Sequence, residues 1–175
     1  MLIKIAGVLL LLLSLVGCGG GGGGVQPTTY PSISLSTSTS SVAENSGTTV
    51  TLTVTASKTS TEDITVTLST SGTATDGTDY SAVNGSSLTI TAGTTTATKT
   101  FTITDNSIYE GNETIVVAIS TVSGGSATES GSQSVSITIT ENESAPTVTL
   151  TSSASSITEN SGTSVTLTAT ASQTA

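Results

Sequence analysis

SISLSTSTSSVAENSGTTVTLTVTASKTS, residues 32–60, carries apolar side chains at Ile33, Leu35, Val50, Leu52 and Val54, with Ser or Thr standing between the members of each group. That period of two is the period of a β-strand with one face turned to a core; an amphipathic helix would space its apolar residues by three and four. Outward from this stretch the pattern recurs at Ile64, Val66 and Leu68, at Leu88 and Ile90, at Ala97, Lys99, Phe101 and Ile103, at Ile115, Val117 and Ile119, and at Val135, Ile137 and Ile139. Thr fills many of the alternate positions, where a β-branched polar side chain suits a wetted strand face. Seven short strands separated by Gly and Ser clusters, with no helical pattern among them, predict an all-β, seven-stranded antiparallel immunoglobulin-like β-sandwich.

The segment at 32–60 then returns as TVTLTSSASSITENSGTSVTLTATASQTA at 147–175, offset by 115 residues and identical at 17 of 29 positions. Such a repeat predicts a tandem array, with a first domain over 31–145 and the start of a second over 146–175. The second copy holds only two strands. Two strands cannot bury a core, so this part reads as a truncated domain or as a poorly ordered tail.

Composition narrows the partners. Twelve acids face three lysines, with no Arg and no His, for a net charge of −9. Such a surface repels nucleic acid and anionic lipid and attracts cations. Aromatic residues make up 2% of the chain, so the core must be built from Val, Ile, Leu and Ala, each burying less area than a ring.

The N-terminus, MLIKIAGVLLLLLSLVGCGGGGGG, combines an early Lys4, an apolar run from Val8 to Val16 and the small Gly17. This is the form of a secretory signal and is short for a membrane span. Leu15-Val16-Gly17-Cys18 resembles the lipobox of bacterial lipoproteins, and Cys18 is the only cysteine. The resemblance implies a signal peptide over 1–17 and a lipid anchor on Cys18, with the membrane as partner. A flexible glycine-rich tether follows over 18–30. The location implied is the bacterial cell envelope, and the lack of an acid directly after Cys18 favours the outer membrane or cell surface. An ordinary secretory signal with an incidental cysteine is the alternative.

TITDNSIYEGNETI, residues 102–115, places Asp105, Glu110 and Glu113 together with no base among them. When successive strands reverse direction, alternate connections share an end of the sandwich. By that parity Glu44, Asp76, Asp79, Asp105, Glu110, Glu113, Glu141 and Glu143 gather at one end, while Glu62, Asp63 and Glu129 stay at the other with Lys58. Four loops then present carboxylates without a base, a site asking for a cation.

The segments VAENSG, GTATDGTDY and ITENE, with the pattern D-x-x-I-Y-E-x-x-E between Asp105 and Glu113, resemble the Calx-beta domain, a module of sodium–calcium exchangers, integrin β4 and many bacterial surface proteins. In calcium-binding members of that family the ions sit in the loops at one end of the sandwich. The resemblance implies ligand roles for Glu44, Asp79, Asp105, Glu110, Glu113, Glu141 and Glu143, with a backbone carbonyl near Ile108 as a further donor. The chain has Asp105-Asn106-Ser107 and Glu141-Asn142-Glu143 where the strongest binders have runs of aspartate, which implies fewer or weaker ions.

The donor set agrees with Ca²⁺. All candidates are oxygen ligands, so zinc, copper and iron are disfavoured, and magnesium would demand a tighter octahedron than four loops readily supply. An extracellular module of this kind would bind at roughly 10⁻⁴ to 10⁻³ M. Solvated acidic loops without an ion are the plain alternative. Catalysis is not expected: no His supplies a base, no G-x-S-x-G supplies a nucleophile, and four aromatics cannot line the cleft that a glycosidase carboxylate pair needs. The expected function is a calcium-binding structural module of a lipid-anchored surface protein, stiffening the junction to its neighbouring domain at Pro146. The rival is an adhesin with an unknown surface ligand, marked by an exposed aromatic beside the acids; Tyr80 and Tyr109 are the residues to inspect.

Overall fold

All seven alternating runs form strands. The computed structural model describes residues 29–160 and 162–173, so the signal segment, Cys18 and the glycine run lie outside the described residues. In chain order the strands are β1 (Ser32–Thr37), β2 (Ser41–Ala43), β3 (Thr49–Ala56), β4 (Ile64–Gly72), β5 (Ser87–Ile90), β6 (Thr96–Thr102), β7 (Glu113–Ser123), β8 (Thr128–Glu129) and β9 (Ser134–Thr140). They build two sheets, ordered β6-β3-β1-β8 and β2-β9-β7-β4-β5. The alternation decides what faces inward: Ile33, Val50, Leu52, Val54, Val66, Ile115, Val117 and Ile137 are fully buried, while the Thr and Ser between them keep contact with water. One tilted ring pair, Tyr80 on Phe101 with centroids 5.6 Å apart, supplements the aliphatic core.

The sandwich is as expected, but the strand count is not. Two short strands, β2 and β8, add to the seven. β2 forms because the chain leaves β1's sheet after Thr37 and joins the other, pairing in parallel with β9 through Ser41↔Thr138, Val42↔Ile139 and Ala43↔Thr140. Hydroxyls hold the crossing: Thr37 Oγ1 donates to the Thr39 carbonyl at 3.0 Å and Thr39 Oγ1 to that of Ser41 at 2.6 Å. A single buried valine, Val42, leaves no periodic trace in sequence. β8 is two residues lying parallel to β1. Neither strand inserts a reversal between the acid-bearing loops, so the one-ended placement read by parity survives the miscount.

One close approach helps set the acidic end. At Gly72 φ is +120°, and a Cβ there would lie 2.2 Å from the Thr114 carbonyl oxygen. Glycine alone lets the end of β4 press against the start of β7, and the amides of Thr73 and Ala74 both donate to that carbonyl.

The repeated segment forms β10 (Val148–Ser152) and β11 (Leu167–Ala171), an antiparallel pair. Both strands are exposed at every position.

Candidate metal centre

The site grows from four connections. Glu44 opens a single 3₁₀ turn, Glu44–Ser46, directly after β2, and Gly47 ends it with φ +62°. The anchor on β9 therefore carries Glu44 toward the end of the sandwich, where it is 6% exposed. Asp79 precedes Tyr80, whose backbone bridges both Asp76 and Ile103 and whose ring is 1% exposed. That buried tyrosine pins the loop after β4 and fixes Asp79, whose Oδ2 accepts the Thr75 amide at 2.6 Å. Glu110 belongs to the loop before β7, Glu113 begins β7, and Glu141 and Glu143 follow β9.

Two groups of three result. Carboxylate oxygens of Glu44, Glu141 and Glu143 lie within 4.8 Å of one another, and so do those of Asp79, Glu110 and Glu113. Six of the seven acids singled out in sequence are thus gathered. Asp105 enters neither group, although its charge reaches Glu143. Ile108 turns its side chain to solvent and donates its amide to Asn106 Oδ1 at 2.7 Å; a carbonyl ligand there rests on the family resemblance alone. Asp76 is turned inward instead. Its Oδ2 accepts the amides of Val83 and Asn84 at 3.0 and 2.8 Å and the Thr70 hydroxyl at 3.3 Å. Burial raises its pKa, but these donors outweigh burial and hold the carboxyl below its ordinary value.

Crowding shows in the titration of the others. Burial, then the charges of Asp79 and Glu110, push Glu113 up to about 7. Burial also raises Glu44, against the amide of Asn106 and helped by Glu141, Glu143 and Glu110. Glu141 is drawn down to about 2, because the amides of Glu143 and Glu110 and then Gly111 stabilise its charged form. Its Oε2 accepts from Glu110 and Gly111 at 2.6 and 2.8 Å, and its Oε1 from Asn142 and Glu143 at 2.9 and 3.0 Å. Glu141 therefore clamps the loop before β7 to the exit of β9. Glu143 is raised, first by sharing a hydrogen bond with Glu141 and then by burial. One of its oxygens accepts from Asn142 Nδ2 at 3.0 Å, while the other, Oε2, is buried without a donor.

The sequence reading missed the amides. Asn106 Nδ2 donates to Glu44 Oε1 at 3.0 Å and to Glu110 Oε2 at 3.1 Å, and Asn112 Oδ1 receives the Glu141 amide at 3.0 Å. Asparagines interleaved with acids in TDNSIYEGNE are the available signal.

The donor set suits a hard divalent cation. Every gathered group is a carboxylate oxygen, and a buried, unpartnered Glu143 Oε2 is costly unless a cation or proton meets it.

The chain is thus an immunoglobulin-like sandwich with carboxylates from four connections gathered at one end. The Calx-beta domain model matches residues 27–143, more than half of the chain, and the chain belongs to that family. Among solved structures it is similar to CBD12 from CALX1.2, at 20% identity and TM-score 0.50, over 58% of this chain and 41% of that one. It is also similar to the apo-form Calx CBD1 domain, at 19% identity and TM-score 0.51, over 65% of this chain and 99% of that one. These likenesses bear out the fold, and the chain spans only 41% of the length of the first. No curated protein matches the chain.

Proposed function

We propose that the acidic end binds calcium and that the bound ion stiffens the connection from β9 into the following repeat. Glu44, Asp79, Glu110, Glu113, Glu141 and Glu143 supply the first ligands, with Asp105 and the carbonyl near Ile108 completing the shell. The observation that carries this reading is the convergence of two carboxylate triads, each within 4.8 Å, at the end where the chain leaves β9 toward Pro146. A divalent ion would relieve a repulsion of about 1 kcal/mol per close pair in water, and more where solvent is thinned. The domain would be carried outside the cell, lipid-anchored through Cys18 in the bacterial envelope, with its neighbouring domains as partners; among the described residues no helix is long and apolar enough to cross a membrane.

The adhesin reading has one observation in its favour. Tyr80 is buried, but Tyr109 is 41% exposed and Ile108 52% exposed beside the acids, a small apolar rim that a surface ligand could contact while calcium orders the loop.

Calorimetry and thermal unfolding of the full chain test the ion. Binding should appear by roughly 10⁻⁴ to 10⁻³ M calcium, and at a hundredfold excess over Kd one site adds about 2.7 kcal/mol of stability. Magnesium at equal concentration should do markedly less. No heat and no rise in Tm at about 10 mM calcium, some ten times the weak limit, would leave the loops merely solvated.

A further inference from the structure

Resting on the calcium reading, the two triads must also be held together without an ion. Asn106 has two side-chain N–H groups, and they go to different triads: one to Glu44 Oε1 at 3.0 Å, the other to Glu110 Oε2 at 3.1 Å. The orientation is fixed by its other end, where Oδ1 accepts the Ile108 amide at 2.7 Å; a flipped amide would set its NH₂ against that N–H and its oxygen against two carboxylates. The backbone amide of Asn106 adds a third donor, to Glu44 Oε1 at 3.3 Å.

An amide carries no net charge, so it occupies lone pairs on Glu44 and Glu110 without cancelling their repulsion. Those same two carboxylates belong to the triads that a cation would draw on, and an oxygen engaged by an N–H has fewer lone pairs to offer it. Amide and ion therefore draw on the same carboxylates, Glu44 and Glu110.

We propose that Asn106 is a placeholder: its Nδ2 bridges the two acidic triads in the ion-free domain and surrenders those hydrogen bonds when calcium enters. The consequence is a site kept assembled without its ion and bound more weakly for that reason, because each ion must displace a bond already made. An Asn in a run where aspartate would bind harder thus sets affinity as a positioning residue.

Asn106→Ala and Asn106→Asp, measured in the full chain with chelator and with saturating calcium, separate this from an ordinary loop cross-link. In chelator both variants should melt about 4–8 °C below the parent, Asn106→Asp the lower because it adds a charge. In calcium the Asn106→Ala gap should close, and calorimetric affinity for calcium should tighten about five- to tenfold. Asn106→Ser, keeping one donor, should fall between parent and alanine in both measurements and serves if alanine fails to fold in chelator. A residue that merely preorganises the loop predicts the opposite sign, a gap that persists in calcium and weaker binding. Either of those results, or no gap in chelator, overturns the proposal while leaving calcium binding intact. A parent that gives no calcium response removes the calcium reading itself, and the placeholder with it.

Discussion

Residues 32–57 and 147–172 repeat one sequence pattern in two settings. Their pairing is the same: Ile33↔Ala56 and Leu35↔Val54 in β1 and β3 become Val148↔Ala171 and Leu150↔Ala169 in β10 and β11. Even the edge contacts repeat, Ser38 N to the Thr51 carbonyl and Ser153 N to that of Thr166, both at 2.9 Å. The glycine after the acid takes φ +62° at Gly47 and +66° at Gly162. Burial does not repeat. Ile33, Leu35 and Leu52 are at most 8% exposed, against 71%, 68% and 64% for Val148, Leu150 and Leu167. Nor does β2: Ser41–Ala43 is a strand against β9, while its counterpart at 156–158 forms none among the described residues. Register and turn are thus local properties of this segment. Burial and β2 are conferred by the second sheet, which among the described residues packs against the first copy.

Truncating the matched leucines Leu52 and Leu167 tests that contrast most severely. Leu52→Ala should cost about 2–5 kcal/mol, since the side chain is buried on all sides. Leu167→Ala removes the same atoms from an exposed position and should change stability by less than about 0.5 kcal/mol. Denaturant midpoints decide it; comparable losses would mean that β10 and β11 pack against something after all.

The acid matched across the repeat gives the next contrast. Glu44 is buried in a triad, whereas Glu159 stands exposed. At a hundredfold excess over the parent Kd, Glu44→Gln should forfeit most of the calcium-dependent stabilisation, about 2 kcal/mol of the 2.7 that one site gives. Glu159→Gln should retain all of it. Equal responses in a calcium titration of Tm would show that the ion does not use the end where Glu44 sits.

How much of this was legible in sequence follows the same division. The inward rows of β1, β3, β4, β7 and β9 could be read because burial on one face writes a period of two into the residues. β2 could not, because one valine between serines has no period and its strand exists only through β9. The acidic end was legible through parity, which needs the number of reversals and not the number of strands. Asp76 was placed at that end by parity and not among the ligands, and the amides of Val83 and Asn84 do engage its carboxylate. Asn106 escaped notice because a neutral amide among acids advertises no charge, and only geometry shows that its two donors span two triads.

Glu113 has no counterpart in residues 147–172, and its titration makes the stability of the first domain depend on pH. Burial, with Asp79 and Glu110 alongside, lifts its folded-state pKa to about 7 from an ordinary 4.5. On raising the pH, the unfolded chain loses this proton first, so between those values the folded state binds more protons. Stability must then fall as pH rises, fully present below about 4.5 and lost by about 7. Taken whole, a shift of this size would be about 3 kcal/mol; partial solvation of the carboxyl reduces that to about 1–2 kcal/mol. Glu44 and Glu143, also raised, act in the same direction, while Glu141 titrates near 2, below the window. In chelator, Tm of the first domain should therefore decline from pH 4.5 to 7.5, and Glu113→Gln should flatten part of the slope and raise Tm at the upper end. Calcium should oppose the decline, since it needs the carboxylate and releases the proton on binding, so its affinity should rise over the same interval. A Glu113→Gln protein that melts lower than its parent at pH 7.5 in chelator would show that Glu113 is stabilised, not crowded, by Asp79 and Glu110.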